Sequence, residues 1–378
     1  MTQAEFRSLF SHVTSRRLYF NHAAVSPLAD PVLVAMNEHL ERRHTGSPDT
    51  WGKAFAAAEN LRGLYATLVN ATTDRIALMP NTATGLNILA SGLKWQAGDR
   101  VLLNEHEFPA NVIPFRNLRR LGVELDFVKT TDGRFPLEAY ENAITPRTKL
   151  LSLSIVQYMT GYRADVRAIA ELCHRHHIIF SVDAIQALGV MPVDVEADGI
   201  DFLATGGHKW LQSPLGSGFL YLSKAIQDQI HQTHLGYMSL EHPEKFSDFE
   251  QPLSEAARRY ELGAFNAVNC VGANAALGLL IDANQTTVFD HIRGLVRHFS
   301  ERLTETNFRP VFNFPEANGS GIFIFTHHDE SKNQPMLEQI TAREVVISLR
   351  DKGLRFSPHY YNTMGEVDAL IDILKEVG

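Results

Sequence analysis

Residues 181–218 read SVDAIQALGV MPVDVEADGI DFLATGGHKW LQSPLGSG, and this stretch decides the fold. An apolar run ends at Val182 and predicts a buried parallel strand that presents Asp183 at its end. A second short apolar run ends in the glycine pair two residues before Lys209, and a glycine-rich segment then leads into a third strand. The pattern predicts that neighbouring strands deliver a carboxylate and a lysine to one place.

An imine between Lys209 and an aldehyde cofactor suits this arrangement. Pyridoxal phosphate withdraws electrons only while its ring nitrogen is protonated, and an Asp183 carboxylate favours that cation. A partly desolvated lysine has a lowered pKa, so its amine can attack the aldehyde. Taken alone, Asp183 is an ordinary strand end and Lys209 an ordinary surface lysine. The Asp-x-x-Gln that ends at Gln186, followed at this spacing by Gly-Gly-His-Lys-Trp, favours the cofactor site.

These motifs resemble those of the class V aminotransferase family of fold-type I pyridoxal phosphate enzymes. That family includes cysteine desulfurases, kynureninases and isopenicillin N epimerase-like proteins. The resemblance extends from about Tyr19 to Asp368. It implies an α/β fold, in which a large domain with a mostly parallel seven-stranded sheet is joined to a smaller α+β C-terminal domain. We expect the large, cofactor-binding domain to span residues 15–255 and the small domain residues 1–14 and 256–378.

The resemblance also implies roles for individual residues within the segment 181–218. It implies that Lys209 forms the Schiff base with pyridoxal phosphate and that Asp183 pairs with the pyridine nitrogen. It implies further that Gln186 contacts the ring hydroxyl. His208 is expected to tune the imine or the ring oxygen and is counted with the catalytic residues, and Thr205 is expected to bind the cofactor.

The cofactor phosphate is expected at a second motif. A short strand at residues 76–78 feeds Thr82, Ala83 and Thr84 into the start of a helix. The free N–H groups and the dipole of a helix N-terminus attract anions, although a threonine there is also a common helix cap. Because the resembled family binds the phosphate at the matching turn, we expect Thr82, the Ala83 backbone and Thr84 to hold it.

Two further loops are expected to contact the cofactor ring. An aromatic side chain stacked on the ring contributes about 1 kcal/mol. Cysteine desulfurases place a histidine there; alignment through Ala110 and Asn111 places Phe108 there in this chain, with His106 as the rival. The loop over the ring hydroxyl usually carries an asparagine in the family, whereas this chain offers Gln157 or Tyr158.

The substrate is expected between the two domains. The resemblance places Asn21 and His22 in the substrate pocket, and the polar loop of residues 45–50 near it. Arg355, which precedes a Tyr-Asn-Thr motif, matches the arginine that binds the substrate carboxylate in the family, and Arg350 is a second candidate. A planar guanidinium can hold a carboxylate through two hydrogen bonds, which a lysine cannot do.

Apolar patterns predict a helix over residues 3–14 and C-terminal strands near residues 321–325, 344–348 and 354–357. Residues 232–256 predict a long irregular loop at a dimer interface or the mouth of the site. The family has a Glu-x-Gly-Thr-x-Asn motif whose threonine reaches the partner's cofactor phosphate. This chain has Ala264 at that position, so a contact across the expected homodimer is left to the backbone or to Asn266.

Composition narrows the class of protein further. The chain has 378 residues, 44% of them hydrophobic, and a net charge of −8, which favours a two-domain globular protein and makes a nucleic-acid partner unexpected. No apolar run is long enough for a membrane helix, and the N-terminus lacks the features of a signal peptide. Two cysteines fit the reducing cytoplasm. No metal site is expected, since the histidines of residues 173–177 are adjacent and do not converge on one ion.

These observations predict a pyridoxal phosphate enzyme that acts on an amino acid. Among the reactions of such enzymes, transamination is the first expectation. An epimerase and a β-lyase or kynureninase-like hydrolase remain alternatives. Cysteine desulfuration is disfavoured, because residues 331–352 lack the loop cysteine that desulfurases use. A nucleotide-dependent oxidoreductase would need a Gly-x-Gly-x-x-Gly motif that is missing here. A scaffold protein without catalytic activity is a further alternative. It is disfavoured because such a protein would not need Lys209, Asp183 and Arg355 together.

Overall fold

The computed structural model describes residues 1–46 and 51–378 of the chain. Most of the loop predicted for residues 45–50 therefore lies outside the described residues. A seven-stranded sheet forms the centre of the fold, with the strand order β2-β8-β7-β6-β5-β3-β4. All neighbouring strands are parallel except those that pair with β8. This confirms the predicted α/β fold with a mostly parallel seven-stranded sheet.

The strands are short and lie where the apolar runs fall. They are β1 (Leu18–Tyr19), β2 (Ile76–Leu78), β3 (Arg100–Asn104), β4 (Glu124–Val128), β5 (Thr148–Ser154), β6 (Ile179–Asp183), β7 (Phe202–Gly206), β8 (Gly218–Leu222), β9 (Phe308–Pro310), β10 (Phe323–His327), β11 (Val345–Val346), β12 (Ser348–Arg350) and β13 (Gly353–Phe356). Every residue of β6, β7 and β8 is buried. These strands have continuous apolar sequences because helices cover both faces of the sheet.

The helices are α1 (Gln3–Ser8), α2 (Ser11–Thr14), α3 (Asp30–His44), α4 (Trp51–Val69), α5 (Thr82–Gly92), α6 (Ile113–Arg116), α7 (Leu137–Ala143), α8 (Val166–Arg175), α9 (Lys224–Gln227), α10 (Ala267–Ala283), α11 (Gln285–Leu303), α12 (Asn333–Thr341) and α13 (Met364–Val377). The single helix predicted for residues 3–14 is two helices, so that prediction is wrong at its middle. Phe6 and Phe10 nevertheless share a buried face and pack on the segment around Tyr361. No helix within the described ranges is long and apolar enough to cross a membrane.

The C-terminal third forms a separate four-stranded antiparallel sheet with the order β12-β13-β10-β9. Its core is a distinct apolar cluster that includes Phe299, Leu354 and Ile371. The strand β1 pairs with β11 in a two-stranded parallel sheet of its own, with Leu18 opposite Val345, so the N-terminal segment contacts the C-terminal third of the chain. The division into residues 15–255 and residues 1–14 with 256–378 stays a prediction.

Candidate active site

The candidate site lies where parallel strands of the large sheet end. The last residues of β5 and β6, Ser154 and Asp183, are paired in register at the carboxyl edge of the sheet. In open α/β sheets this edge is where ligands bind. The loops that follow β3 and β7 reach the same edge and bring Phe108 and Lys209 to it.

Asp183 has one free carboxylate oxygen in a buried place. Its side chain is 1% exposed, and Oδ1 accepts a hydrogen bond from the Ile185 N–H at 2.9 Å. Oδ2 is buried and has no hydrogen-bond partner in the described part of the chain. Burial raises the pKa of Asp183, and the Ile185 hydrogen bond and the Lys209 charge oppose that rise. A buried carboxylate oxygen without a donor is costly, so this atom is prepared for a cationic or N–H partner.

Lys209 lies in the loop between β7 and β8, and the next residue anchors that loop. Trp210 is 1% exposed; its Nε1 donates to the Gln186 side-chain oxygen at 2.8 Å, and its carbonyl is 2.9 Å from His359 Nε2. Gly189 has a φ of +93°, and a Cβ there would lie 2.3 Å from the Trp210 carbonyl oxygen. The close packing around Trp210 therefore fixes the backbone that carries Lys209.

The amine of Lys209 is in a partly desolvated position. Burial lowers the pKa of Lys209, the Asp183 charge raises it, and the charges of Arg355 and Arg350 lower it further. Lys209 Nζ lies 5.5 Å from the centre of the Phe108 ring. His208 is half-buried, and burial together with the Lys209 charge lowers its pKa.

Phe108, rather than His106, is the aromatic residue beside Lys209. The Phe108 ring is 42% exposed and packs edge-on against Tyr158, with the ring centres 5.2 Å apart. The His106 ring instead packs against Phe135. Stacking of Phe108 on a cofactor ring stays a prediction, and its position favours it over His106.

The first turn of α5 offers a further free polar group. Thr82 is 3% exposed, and its hydroxyl is buried without a hydrogen-bond partner in the described chain. The side chain of Asn81 caps the helix by accepting from the Thr84 N–H at 2.9 Å and from the Thr84 hydroxyl at 3.1 Å. Thr82 and the N–H groups of the first turn, Ala83 among them, can therefore receive an anion.

Arg355 is a buried guanidinium with unused donors. It lies on β13, is 1% exposed, and donates from Nη1 to the Tyr158 carbonyl oxygen at 3.3 Å. Its Nε and Nη2 are buried without a partner among the described residues. Burial, and then the charge of Arg350, lower the pKa of Arg355, but a guanidinium stays protonated at neutral pH. Such a group is a receptor for a carboxylate.

His22, which is predicted to lie in the substrate pocket, is buried and held inside the protein, and its role in binding stays a prediction. Its ring is 0% exposed; Nδ1 is 2.9 Å from the Ser357 carbonyl oxygen, and Nε2 is 2.9 Å from the Tyr361 hydroxyl. Since both ring nitrogens are used, His22 fastens the N-terminal segment to the residues after β13. Its neighbour Asn21 has a buried side-chain oxygen without a described partner, and its role in binding stays a prediction.

Three further predicted cofactor residues differ in how far their polar atoms are already hydrogen-bonded within the protein. Gln186 uses both ends of its amide inside the protein, since Nε2 donates to the Ala23 carbonyl oxygen at 3.0 Å and Oε1 accepts from Trp210. The Thr205 hydroxyl is buried and lies 3.3 Å from the Gly206 carbonyl oxygen. Gln157 is 2% exposed, and its Oε1 has no described partner. Contacts of these residues with the cofactor remain predictions, and Gln157 has the most freedom to make one.

Glu107 is the residue that the sequence analysis missed. This carboxylate is 6% exposed and accepts hydrogen bonds from side chains of Asn104 (2.5 Å), Asn111 (2.9 Å) and Gln157 (2.8 Å), and from the N–H (2.8 Å) and hydroxyl (2.6 Å) of Ser154. Its charge is one of the causes that raise the pKa of Asp183. The available signal was an acidic residue directly before the predicted ring-stacking position.

A cavity of about 720 Å³ lies beside the first turn of α5 rather than around Lys209. Ala83, Thr84, Ala264 and Asn266 are among its lining residues. The Asn266 side chain caps α10 by accepting from the Asn269 N–H at 3.0 Å, so its oxygen is already engaged. The cavity therefore joins the turn predicted to bind the phosphate to the segment in which Ala264 replaces the threonine of the family's Glu-x-Gly-Thr-x-Asn motif.

The described residues fit pyridoxal phosphate. The free Asp183 oxygen can accept from a protonated ring nitrogen, and the free Thr82 hydroxyl at a helix N-terminus can donate to a phosphate. Lys209 supplies the amine, and the nearby Phe108 ring can pack against the flat cofactor ring. Among the predicted cofactor residues, Asp183, Thr82 and Gln157 each keep one buried polar atom without a partner in the described part of the chain.

Known proteins are similar over nearly the whole chain. The model of the family described as "Aminotransferase class-V" matches residues 18–370. An uncharacterised aminotransferase, YcbU of Bacillus subtilis, is 27% identical over 97% of this chain and 96% of its own length. A probable cysteine desulfurase of Methanothermobacter thermautotrophicus is 27% identical over 95% and 94% of the two chains.

Solved structures share the fold. A cysteine desulfurase of Thermococcus onnurineus in its apo form has a TM-score of 0.87 and 23% identity, covering 97% of each chain. A mutant of C-DES, with glycine covalently linked to its pyridoxal phosphate cofactor, has a TM-score of 0.91 and 22% identity, covering 98% of this chain and 99% of that one. At this level of identity the likeness concerns the fold.

Proposed function

Because the chain belongs to the class V aminotransferase family, whose members are pyridoxal phosphate enzymes, we propose that it transfers the amino group of an α-amino acid to a 2-oxo acid. The observation that carries the proposal is Arg355, a buried guanidinium with two unpartnered nitrogens near Lys209. Both substrates of a transamination have a carboxylate next to the reacting carbon. One fixed receptor can therefore orient each of them in turn.

Each residue has a distinct task in this proposal. The chemistry that bound pyridoxal phosphate supplies is withdrawal of electrons from the substrate's α-carbon. Asp183 holds the positive charge on which that withdrawal depends. Arg355 holds the carboxylate, and Lys209 Nζ moves the proton between the α-carbon and the carbon that receives it. The lowered pKa of Lys209 enlarges the fraction of neutral amine that can accept this proton near neutral pH.

The two thiols support a reaction other than cysteine desulfuration. Cys173 and Cys270 are both free and buried. Burial raises the pKa of both thiols, to about 12 for Cys270, so neither forms a thiolate readily. The residues between 331 and 352 contain no cysteine, so a mobile thiol is not available at the loop where desulfurases carry theirs.

The test is a product analysis with the holoenzyme. Single amino acids are incubated with a mixture of 2-oxo acids, and the products are separated by chiral chromatography. We expect the amino donor to be converted to its 2-oxo acid while an equal amount of a new amino acid appears. Formation of the opposite enantiomer, of pyruvate and ammonia, or of sulfide and alanine would instead show an epimerase, a β-lyase or a desulfurase.

We also propose that the protein is a homodimer. The irregular segment at residues 232–256 exposes large apolar side chains, Phe246 (72%) and Phe249 (82%) among them, and Leu262 beside it is 47% exposed. Large apolar surface of this kind commonly lies in an interface. Sedimentation of the active enzyme tests the proposal, and an active monomer would refute it.

A further inference from the structure

A second arginine lies on the same face of the small sheet as Arg355. In the β12–β13 pair, Ser348 is opposite Arg355, Leu349 is opposite Leu354, and Arg350 is opposite Gly353. Opposite residues share a face, and faces alternate along each strand. Arg350 and Arg355 are therefore on one face, while Leu349 and Leu354 turn to the apolar cluster on the other.

Gly353, opposite Arg350, is closely packed against the neighbouring strand. Its φ is +153°, and a Cβ there would lie 2.5 Å from the Phe325 carbonyl oxygen, so no other residue fits. Residues two positions apart diagonally across an antiparallel pair have Cβ atoms within about 8 Å, which long side chains can span. The Arg350 and Arg355 guanidinium groups can thus face one pocket.

Both arginines lack a carboxylate partner. In the described part of the chain Arg350 donates one hydrogen bond, at 2.8 Å, to the carbonyl oxygen of its own neighbour Leu349. Arg355 has its single bond to the Tyr158 carbonyl oxygen. Asp351 follows Arg350 and is exposed, but neither arginine forms an ion pair with it or with another described acidic residue. Two close guanidinium groups repel each other, and each is stabilised by an anion.

Among the described residues no carboxylate bonds to Arg350, so an anion that binds it has to come from elsewhere. Lys209, Arg350 and Arg355 act on each other electrostatically, and Asp183 acts on Lys209 from the deep end of the site. The α-carboxylate of an amino acid neutralises Arg355 alone. We infer that the substrate has a second carboxylate that binds Arg350, so that the substrate class is a dicarboxylic α-amino acid and its 2-oxo diacid. This inference rests on the proposed function and names its substrate class.

The reaction balances without a further reactant. The donor's amino group and α-hydrogen are exchanged for the carbonyl oxygen of the acceptor, so the donor is oxidised to a 2-oxo diacid and the acceptor is reduced to an amino acid. The two arginines bind donor and acceptor in the same way, because both diacids present the same pair of carboxylates.

The test compares acids with their neutral amides. The holoenzyme, Arg350→Gln and the control Arg309→Gln are assayed with glutamate against glutamine and aspartate against asparagine. Arg309 is a suitable control because it lies on β9 of the same sheet, is exposed, and pairs with Glu330. We expect the unmodified enzyme and Arg309→Gln to prefer at least one acid over its amide by about 10- to 100-fold in kcat/KM. In Arg350→Gln this preference should fall to within a few-fold of unity.

A binding measurement separates this inference from the proposed reaction. Glutarate and butyrate are titrated into the holoenzyme and both variants by calorimetry, which requires no turnover. Glutarate should bind more tightly than butyrate to the unmodified enzyme and to Arg309→Gln, but about equally to Arg350→Gln. Equal binding to the unmodified enzyme, or an unchanged preference in Arg350→Gln, would overturn the inference even if transamination is observed. A dicarboxylate preference without transamination would instead overturn the proposed reaction.

Discussion

The two ends of the site differ in how their charges are balanced. At the deep end, on the large parallel sheet, Glu107 accepts five hydrogen bonds and Asp183 keeps one free oxygen. At the outer end, on the small antiparallel sheet, Arg355 has free donors and repels Arg350. In the proposed function, Asp183 balances the cationic ring of a cofactor that stays bound. The arginines of the outer end bind carboxylates that arrive and leave with each turnover.

The largest effect should follow removal of the amine between the two ends. Lys209→Ala removes the group that moves the α-proton, and we expect kcat to fall by about 10²- to 10⁴-fold. Borohydride reduction of the unmodified holoenzyme followed by peptide mapping should place the cofactor label on Lys209. A label on another lysine, or a Lys209→Ala protein with full turnover, would contradict the assignment.

The deep end is tested next, by Asp183→Asn. A neutral amide has the shape of the carboxylate but cannot balance a ring cation, so electron withdrawal weakens. We expect kcat to fall by about 10²- to 10³-fold, as when one preorganised electrostatic group is removed. Cofactor absorbance should show that the cofactor is retained. Arg309→Gln, an exposed substitution on β9 of the small sheet, serves as the control. A kcat within a few-fold of the unmodified enzyme would rule out the role of Asp183.

At the outer end, Arg355→Lys keeps the positive charge but loses the planar group that can donate two parallel hydrogen bonds to one carboxylate. The loss of a bidentate carboxylate contact costs about 1.5–3 kcal/mol, or about 10- to 100-fold in kcat/KM. The cofactor absorbance should not change, because Arg355 belongs to the other sheet. A panel of amino acids and their decarboxylated amines provides the measurement. If both enzymes treat acid and amine alike, Arg355 has a structural role only.

The sequence indicated Asp183 and Lys209 more directly than the residues whose positions depend on long-range contacts. Asp183 and Lys209 follow apolar strands directly, so local patterns place them. The burial of His22 depends on Ser357 and Tyr361, which follow more than 300 residues later in the chain. The network of Glu107 joins its own loop, residues 104–111, to residues 154–157, and a lone glutamate in a loop gives no local sign of that contact. Long-range packing decided what the sequence analysis missed.

The smallest expected effect concerns how one end of the site acts on the other. Burial and the charges of Arg355 and Arg350 lower the pKa of Lys209, so its neutral form appears at lower pH than for an exposed lysine. Since only the neutral amine attacks an aldehyde, the rate at which the apoenzyme captures pyridoxal phosphate should rise with pH and level off above that pKa. Removing one cation in Arg350→Gln raises the pKa of Lys209, so the midpoint of the rate profile should move to higher pH. Below the midpoint capture should then be a few-fold slower, and well above it the two proteins should have the same rate.

Stopped-flow absorbance measures this capture without any turnover, and Arg309→Gln should leave the midpoint unchanged. A midpoint that does not move in Arg350→Gln would mean that the two ends of the site are electrostatically independent.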